Sequence, residues 1–176
     1  MGRSAPPGRR DLARAKPPEG CDRFCCDEML IRLGRWLRAA GYDTAIARRR
    51  GSDRALLEAA RADRRVLITR DRKVLEIRDA DASTLLLTGR GLKEWVAETT
   101  RDLAIDWLKA PFPRCLLCNR PLAAAPDEAR ALLPARVIDM AAQATWCPDC
   151  EKLYWPGSHV ARMRRRLEAW QRQEFA

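Results

Sequence analysis

Phe24-Cys25-Cys26-Asp27-Glu28-Met29-Leu30-Ile31-Arg32-Leu33-Gly34-Arg35-Trp36-Leu37-Arg38-Ala39-Ala40-Gly41 is the stretch on which the fold turns. A short apolar run from Arg23 ends on an acid. Beyond it Met29, Leu30, Leu33, Trp36, Leu37 and Ala40 recur at the three- and four-residue spacing of one helix face, and Gly41 follows as a cap. The segment reads strand, acid, helix, glycine.

Downstream the rhythm repeats. Thr44 to Ala47 is a short strand candidate, Arg48-Arg49-Arg50-Gly51-Ser52 a polar turn, and Ala55, Leu56, Ala59 and Ala60 share one face of a helix that Asp53 opens. Val66-Leu67-Ile68-Thr69 is continuously apolar up to its threonine, as strands buried on both faces are, and Arg70-Asp71 follows directly. Ser83 to Leu87 predicts a fourth strand. Leu92, Trp95, Val96 and Thr99 predict a helix running on towards Trp107. Alternating strands and helices specify an α/β fold, a parallel sheet flanked by helices, whose ligand sites lie beyond the carboxyl ends of the strands.

After Pro111-Phe112-Pro113 the pattern changes. Cys115-Leu-Leu-Cys118 and Cys147-Pro-Asp-Cys150 have the spacing of two zinc knuckles around an Ala- and Pro-rich insert at 121–136. Four thiolates close a tetrahedral shell with no open position, so Cys115, Cys118, Cys147 and Cys150 predict a structural zinc rather than a catalytic one. The chain thus divides into a disordered basic leader at 1–22, an α/β domain at 23–110, and a small four-cysteine zinc module with a basic C-terminal helix at 111–176. In that last helix Met163, Leu167 and Trp170 make a packing face, and Arg162, Arg164, Arg165, Arg166 and Arg172 leave the rest basic.

The 176 residues carry a formal net charge of +10, and of the 34 basic residues 29 are Arg and 5 Lys. Attraction to a polyanion such as RNA explains the charge, and so does the arginine skew of a GC-rich genome. No apolar run approaches the roughly 18 residues of a membrane span. The leader lacks the apolar stretch of a secretory signal, and an odd total of 7 cysteines suits a reducing compartment. Together these point to a cytoplasmic protein with no membrane partner.

Asp27 and Asp71 each follow a strand and so share one sheet edge, which Asp53 can reach. Clustered carboxylates call for a hard cation, and Mg²⁺ or Mn²⁺ takes such ligands together with phosphate oxygens. The plainer alternative stays open: Asp53 and Asp71 are both suited to capping helix starts. Arg70, Arg72 and Lys73 around Asp71, and Arg35 and Arg38 three apart on the first helix, are candidate phosphate ligands or solvated surface charge. His159, the only histidine, is read chiefly as a hydrogen-bonding residue that locks its turn, and Tyr154 and Trp155 either cover the small core or stack bases.

Four ordered motifs carry a resemblance: Asp27 to Asp43, Leu67-Ile-Thr-Arg-Asp71, Arg114-Cys-Leu-Leu-Cys-Asn119 and Cys150-Glu-Lys-Leu-Tyr-Trp-Pro-Gly-Ser-His159. Over residues 23–168 the chain resembles the Mut-seven C-terminal RNase family. The resemblance implies a PIN-like nuclease domain followed by a zinc ribbon. It implies hydrolysis of RNA with Mg²⁺ or Mn²⁺ held by about four acids, three of which map to Asp27, Asp53 and Asp71. No fourth acid is evident: Glu28 adjoins Asp27, Asp43 lies beyond the Gly41 cap, and Asp79 and Glu94 have no assigned place. The implied partner is RNA, with tRNA, rRNA or the ribosome as candidate species, and the competing reading is a non-catalytic RNA- or ribosome-binding zinc-ribbon protein.

Overall fold

The structure, a computed structural model, describes residues 21–47 and 51–175. The leader up to residue 20 and the Arg48-Arg49-Arg50 turn lie outside the described residues. Strand β1 (Arg23–Cys26) leads through a 3-10 turn (Glu28–Leu30) into α1 (Ile31–Ala40). There follow β2 (Asp43–Ile46), α2 (Asp53–Ala62), β3 (Val66–Thr69), β4 (Thr84–Leu86) and α3 (Leu92–Leu103). The four strands form one parallel sheet in the order β2-β1-β3-β4, with Phe24 opposite both Thr44 and Val66.

The sheet is covered on both faces because its strands alternate. Phe24 and Cys26 of β1 and Val66 and Ile68 of β3 pack with Leu33, Leu37, Trp95 and Val96 from α1 and α3. Cys25 and Leu67 point the other way, onto Leu57 and Ala60 of α2. A period of two along each strand places successive side chains in two separate cores.

Gly41 ends α1 in the left-handed region at φ 110°, with its N–H on the Arg38 and Leu37 carbonyls. It also tolerates no side chain, since a Cβ there would lie 2.8 Å from the Ala110 carbonyl oxygen. That approach has a purpose. The segment leaving the α/β body donates from Ala110 N–H to Ala40 O (3.1 Å) and from Phe112 N–H to Ala39 O (2.7 Å), satisfying carbonyls that the helix end leaves over.

Helix α3 is shorter than its apolar spacing predicts. It stops at Leu103, and Ala104 turns left-handed at φ 50°. Trp107 leaves the helix to be buried: its indole N–H donates to Thr100 Oγ1 (2.8 Å), and its ring meets Trp170 edge-on at 5.0 Å. The partner ring belongs to the last helix, so tertiary packing overrides the local pattern.

The carboxyl-terminal part holds β5 (Ala123–Ala124), α4 (Asp127–Arg130), β6 (Thr145–Cys147) and β7 (Lys152–Tyr154). The three strands form an antiparallel sheet in the order β5-β6-β7. Ala125, Ala129, Leu133 and Ala144 give it a small core of its own. Helix α5 (Ser158–Gln171) then returns to the larger core. Leu167 and Trp170 are buried there beside Phe24 and Leu33, while Arg162, Arg165 and Arg166 stay exposed. Among the described residues no helix is long and apolar enough to cross a membrane.

Candidate active site and thiol centre

Asp27 stands one residue past β1, and its N–H continues the sheet by donating to Ile68 O at 3.0 Å. Its Oδ2 accepts from the hydroxyl of Thr69 (2.9 Å), and the same hydroxyl oxygen accepts from the N–H of Asp71 (3.0 Å). Thr69 is 0% exposed. One buried hydroxyl therefore ties both acids to the end of β3 and fixes their spacing.

Asp71 does cap the following 3-10 turn (Arg72–Glu76), its Oδ1 accepting from Lys73 N–H at 2.9 Å. Capping occupies one carboxylate oxygen and leaves Oδ2 without a hydrogen-bond partner among the described residues. Asp53 is no cap. Ser52 takes that position, its Oγ accepting from Ala55 N–H at 3.3 Å, so the Asp53 carboxylate on the first residue of α2 is left to another use.

These three acids line one cleft of about 440 Å³ at the carboxyl ends of β1 and β3, walled by Met29, Leu56 and Ala59. Glu28 lines it too. In the sequence Glu28 only adjoins Asp27; the 3-10 turn before α1 is what turns it towards the cleft. The other acids considered lie elsewhere. Asp43 begins β2 at the opposite sheet edge, Asp79 pairs with Arg78 (3.7 Å), and Glu94 accepts from the Arg90 N–H (2.7 Å).

No Lys or Arg is among the described residues that line the cleft. Asp27, Asp53 and Asp71 line one cleft, and carboxylates are the donor type that suits a hard divalent cation. The acids are nevertheless spread more widely than the cysteines, which alone among the described residues gather into a tight ligand group.

The basic residues depart most from expectation. Arg38 does not face Asp27 or substrate. It is 3% exposed, and it donates from Nε to Thr44 O (2.8 Å) and from Nη1 to Leu116 O (3.0 Å) and Leu117 O (2.8 Å). Its guanidinium is consumed in joining α1 and β2 to the first cysteine knuckle. Arg35 is exposed but lines a separate groove, because its helix face looks away from the acids. Arg70 folds back over the Trp95 ring at 5.5 Å and does not line the cleft. Arg72 and Lys73 are exposed just past Asp71 and remain open to solvent.

Cys115, Cys118, Cys147 and Cys150 bring their sulfurs within 4.8 Å of one another, with Cys118 and Cys147 at 3.4 Å. A tetrahedron with metal–sulfur bonds of about 2.3 Å has edges of about 3.8 Å, so the set could bind zinc. The residue after each second cysteine, Asn119 at φ 77° and Glu151 at φ 47°, is left-handed, which gives the two knuckles the same turn. Burial pushes the Cys115 thiol up, but hydrogen bonds from the Tyr154 hydroxyl and from the Cys118 and Leu117 N–H groups outweigh it and bring it down to about 6. Cys150 is pushed up to about 12, by its hydrogen bond with Cys118 ahead of burial. His159 is exposed and makes no hydrogen bond among the described residues, so the expected lock on its turn is absent.

The knuckle is anchored a second time through Asp43. Its carboxylate accepts from Arg65 (2.8 and 3.2 Å), Arg23 (3.2 Å) and the Asn119 amide (2.6 Å), and Asn119 Oδ1 accepts in turn from Thr44 N–H (3.0 Å). Burial raises the Asp43 pKa, yet the hydrogen bonds and the Arg65 charge win and hold it at about 2. A depressed carboxyl stabilises the fold fully above its unfolded value of about 4. That stability is lost as pH falls through 2, and it amounts to roughly 2 kcal/mol. In urea unfolding, Asp43→Asn should therefore be less stable than wild type by at least that amount at pH 7, with the gap closing between pH 4 and pH 2. A gap that does not change with pH would refute the assignment.

A model of the Mut7-C RNAse domain family matches residues 22–167, which takes in both the acid cleft and all four cysteines. No curated protein and no solved structure matches the chain.

Proposed function

This chain belongs to the Mut7-C RNAse domain family, and from that premise we propose that it is a metal-dependent ribonuclease hydrolysing RNA phosphodiester bonds in the acid cleft. The observation that carries the proposal is the convergence of Asp27, Asp53 and Asp71 on one small volume at the carboxyl edge of a parallel sheet. Asp27, Asp53 and Asp71 would hold Mg²⁺ or Mn²⁺, with Glu28 as the fourth acid the PIN-like resemblance asks for. When bound, such an ion favours attack by water on phosphorus and stabilises charge on the leaving oxygen.

The chain's own residues supply position. Thr69 donates to Asp27 and so fixes one oxygen of a carboxylate that belongs to a cleft-lining residue. The Lys73 N–H does the same for Asp71. Arg72 and Lys73, exposed beside Asp71, would receive phosphates of the RNA strand. The four cysteines would hold zinc as a structural ion, and free thiols besides these suit a reducing compartment such as the cytoplasm.

The test is cleavage of a mixed labelled RNA pool with Mg²⁺, with Mn²⁺ or with neither. A chelator would attack the thiol centre as well, so omission of the ion is the cleaner control. Cutting that needs the ion and that Asp71→Asn abolishes supports the reading. Wild type and variant equally inert on every RNA, while still binding it, would replace it with the non-catalytic RNA- or ribosome-binding reading.

Zinc is checked separately. Purified protein should contain about one zinc per chain by metal analysis, and Cys147→Ser should release it and unfold the antiparallel sheet at lower temperature. Metal-free protein with an unchanged carboxyl-terminal part would exclude a structural ion.

A further inference from the structure

A second concavity, of about 790 Å³, lies between α1, the segment around Phe112, the cysteine module and α5. It shares no residue with the acid cleft. Its cations are Arg32, Arg35, Arg114, Arg136, Lys152 and Arg164. No Asp or Glu lines it, and none of the six cations is ion-paired with a carboxylate among the described residues. Such charge, left uncompensated in a concave surface, concentrates field and attracts a polyanion.

The same groove presents rings. Trp36, Phe112, Tyr154 and Trp155 all line it. The Arg164 guanidinium stands 5.6 Å from the Phe112 ring centre, and the Lys152 ammonium 6.0 Å from that of Tyr154. Cations beside aromatic faces are the means by which a protein holds an unpaired strand, since phosphates meet the charge while bases stack on the rings. A duplex hides its base faces and cannot use them.

We propose that this groove binds a single-stranded stretch of RNA that extends from the scissile site. That the strand is RNA rests on the ribonuclease reading; that it is unpaired rests on the groove. The two sites approach each other at the junction of the 3-10 turn and α1. Met29 in that turn lines the acid cleft, and Arg32, three residues on in α1, lines the groove. A strand seated on Arg35 and Arg32 has to turn around the start of α1 to reach the acids.

Arg32, Arg35, Arg136 and Arg164 are all exposed, so replacing them leaves the core intact. The experiment is fluorescence anisotropy of a labelled oligoribonucleotide without Mg²⁺ or Mn²⁺, where no cleavage competes, across a salt series. The fourfold Arg→Gln variant should bind at least about thirtyfold more weakly. Its log–log salt slope should flatten by about 3, at about 0.7 per phosphate contact on a single strand. The fourfold Arg→Lys variant should keep most of the affinity, and a duplex of the same sequence should bind wild type at least tenfold more weakly than the single strand.

Unchanged affinity and slope in the Gln variant would overturn the proposal. So would parallel losses for single strand and duplex, the mark of a general polyanion patch. If no RNA is ever cleaved but binding shifts as stated, the nuclease reading falls and the groove stands.

Discussion

Asp27→Asn is expected to reduce metal-dependent RNA cleavage by about a thousandfold, the size of effect seen when a single preorganised charge is removed from a reacting centre. The substitution is nearly isosteric. The asparagine oxygen can still accept from Thr69, whose hydroxyl is held in place by the Asp71 N–H at 3.0 Å. Shape and the buried hydroxyl bridge survive, and only the negative charge is lost. Thermal unfolding should therefore move little while the cleavage rate collapses and Mn²⁺ binding weakens.

Asp43→Asn supplies the opposite control. Its carboxylate lies at the far edge of the sheet among Arg23, Arg65 and Asn119, so stability should fall and turnover per folded molecule should not. Should Asp27→Asn cut RNA as fast as wild type, the acid cleft would not be the site of hydrolysis.

The largest effect on stability is expected from Arg38→Leu, at about 3 to 5 kcal/mol. Leucine fills part of the volume but leaves the Thr44, Leu116 and Leu117 carbonyl oxygens without their donor. Two of those carbonyls belong to the residues between Cys115 and Cys118. The variant should thus also hold zinc more weakly, which competition with a chromogenic chelator would read. Arg38→Lys should recover less than half of the loss, because an ammonium cannot span three acceptors that a planar fork reaches together. A loss under about 1 kcal/mol by urea unfolding would mean that the carbonyls find other partners.

Residues whose role follows from local pattern were legible in the sequence. Val66–Thr69 reads as a strand because both of its faces are apolar, and the cysteine knuckles announce themselves by spacing. Arg38 was not legible. An arginine on an amphipathic helix ordinarily reaches solvent, and only the return of residues 116 and 117, far along the chain, closes it in. Glu28 could be named but not placed, since whether a 3-10 turn or a helix follows β1 decides which way it points. The end of α3 was equally hidden: Ala104 favours helix, and burial of Trp107 against a distant tryptophan overrules it. The groove was seen only in pieces, because Arg32, Arg136 and Trp155 meet only in three dimensions.

Trp170 sits between Trp36, at 4.7 Å, and Trp107, at 5.0 Å. A wall of the core begun by β1 is thus completed by α5. During synthesis the ribosome delivers the sheet and its first helices long before that tryptophan emerges. Until then Trp36 and Trp107 lack the ring that covers them, and the nascent α/β body carries an unfinished apolar flank of the kind that chaperones bind and that aggregates when synthesis stalls. Ribosome-bound chains halted before residue 158 should consequently be easily digested by protease, and resistance should appear late, in one step, as α5 clears the exit tunnel.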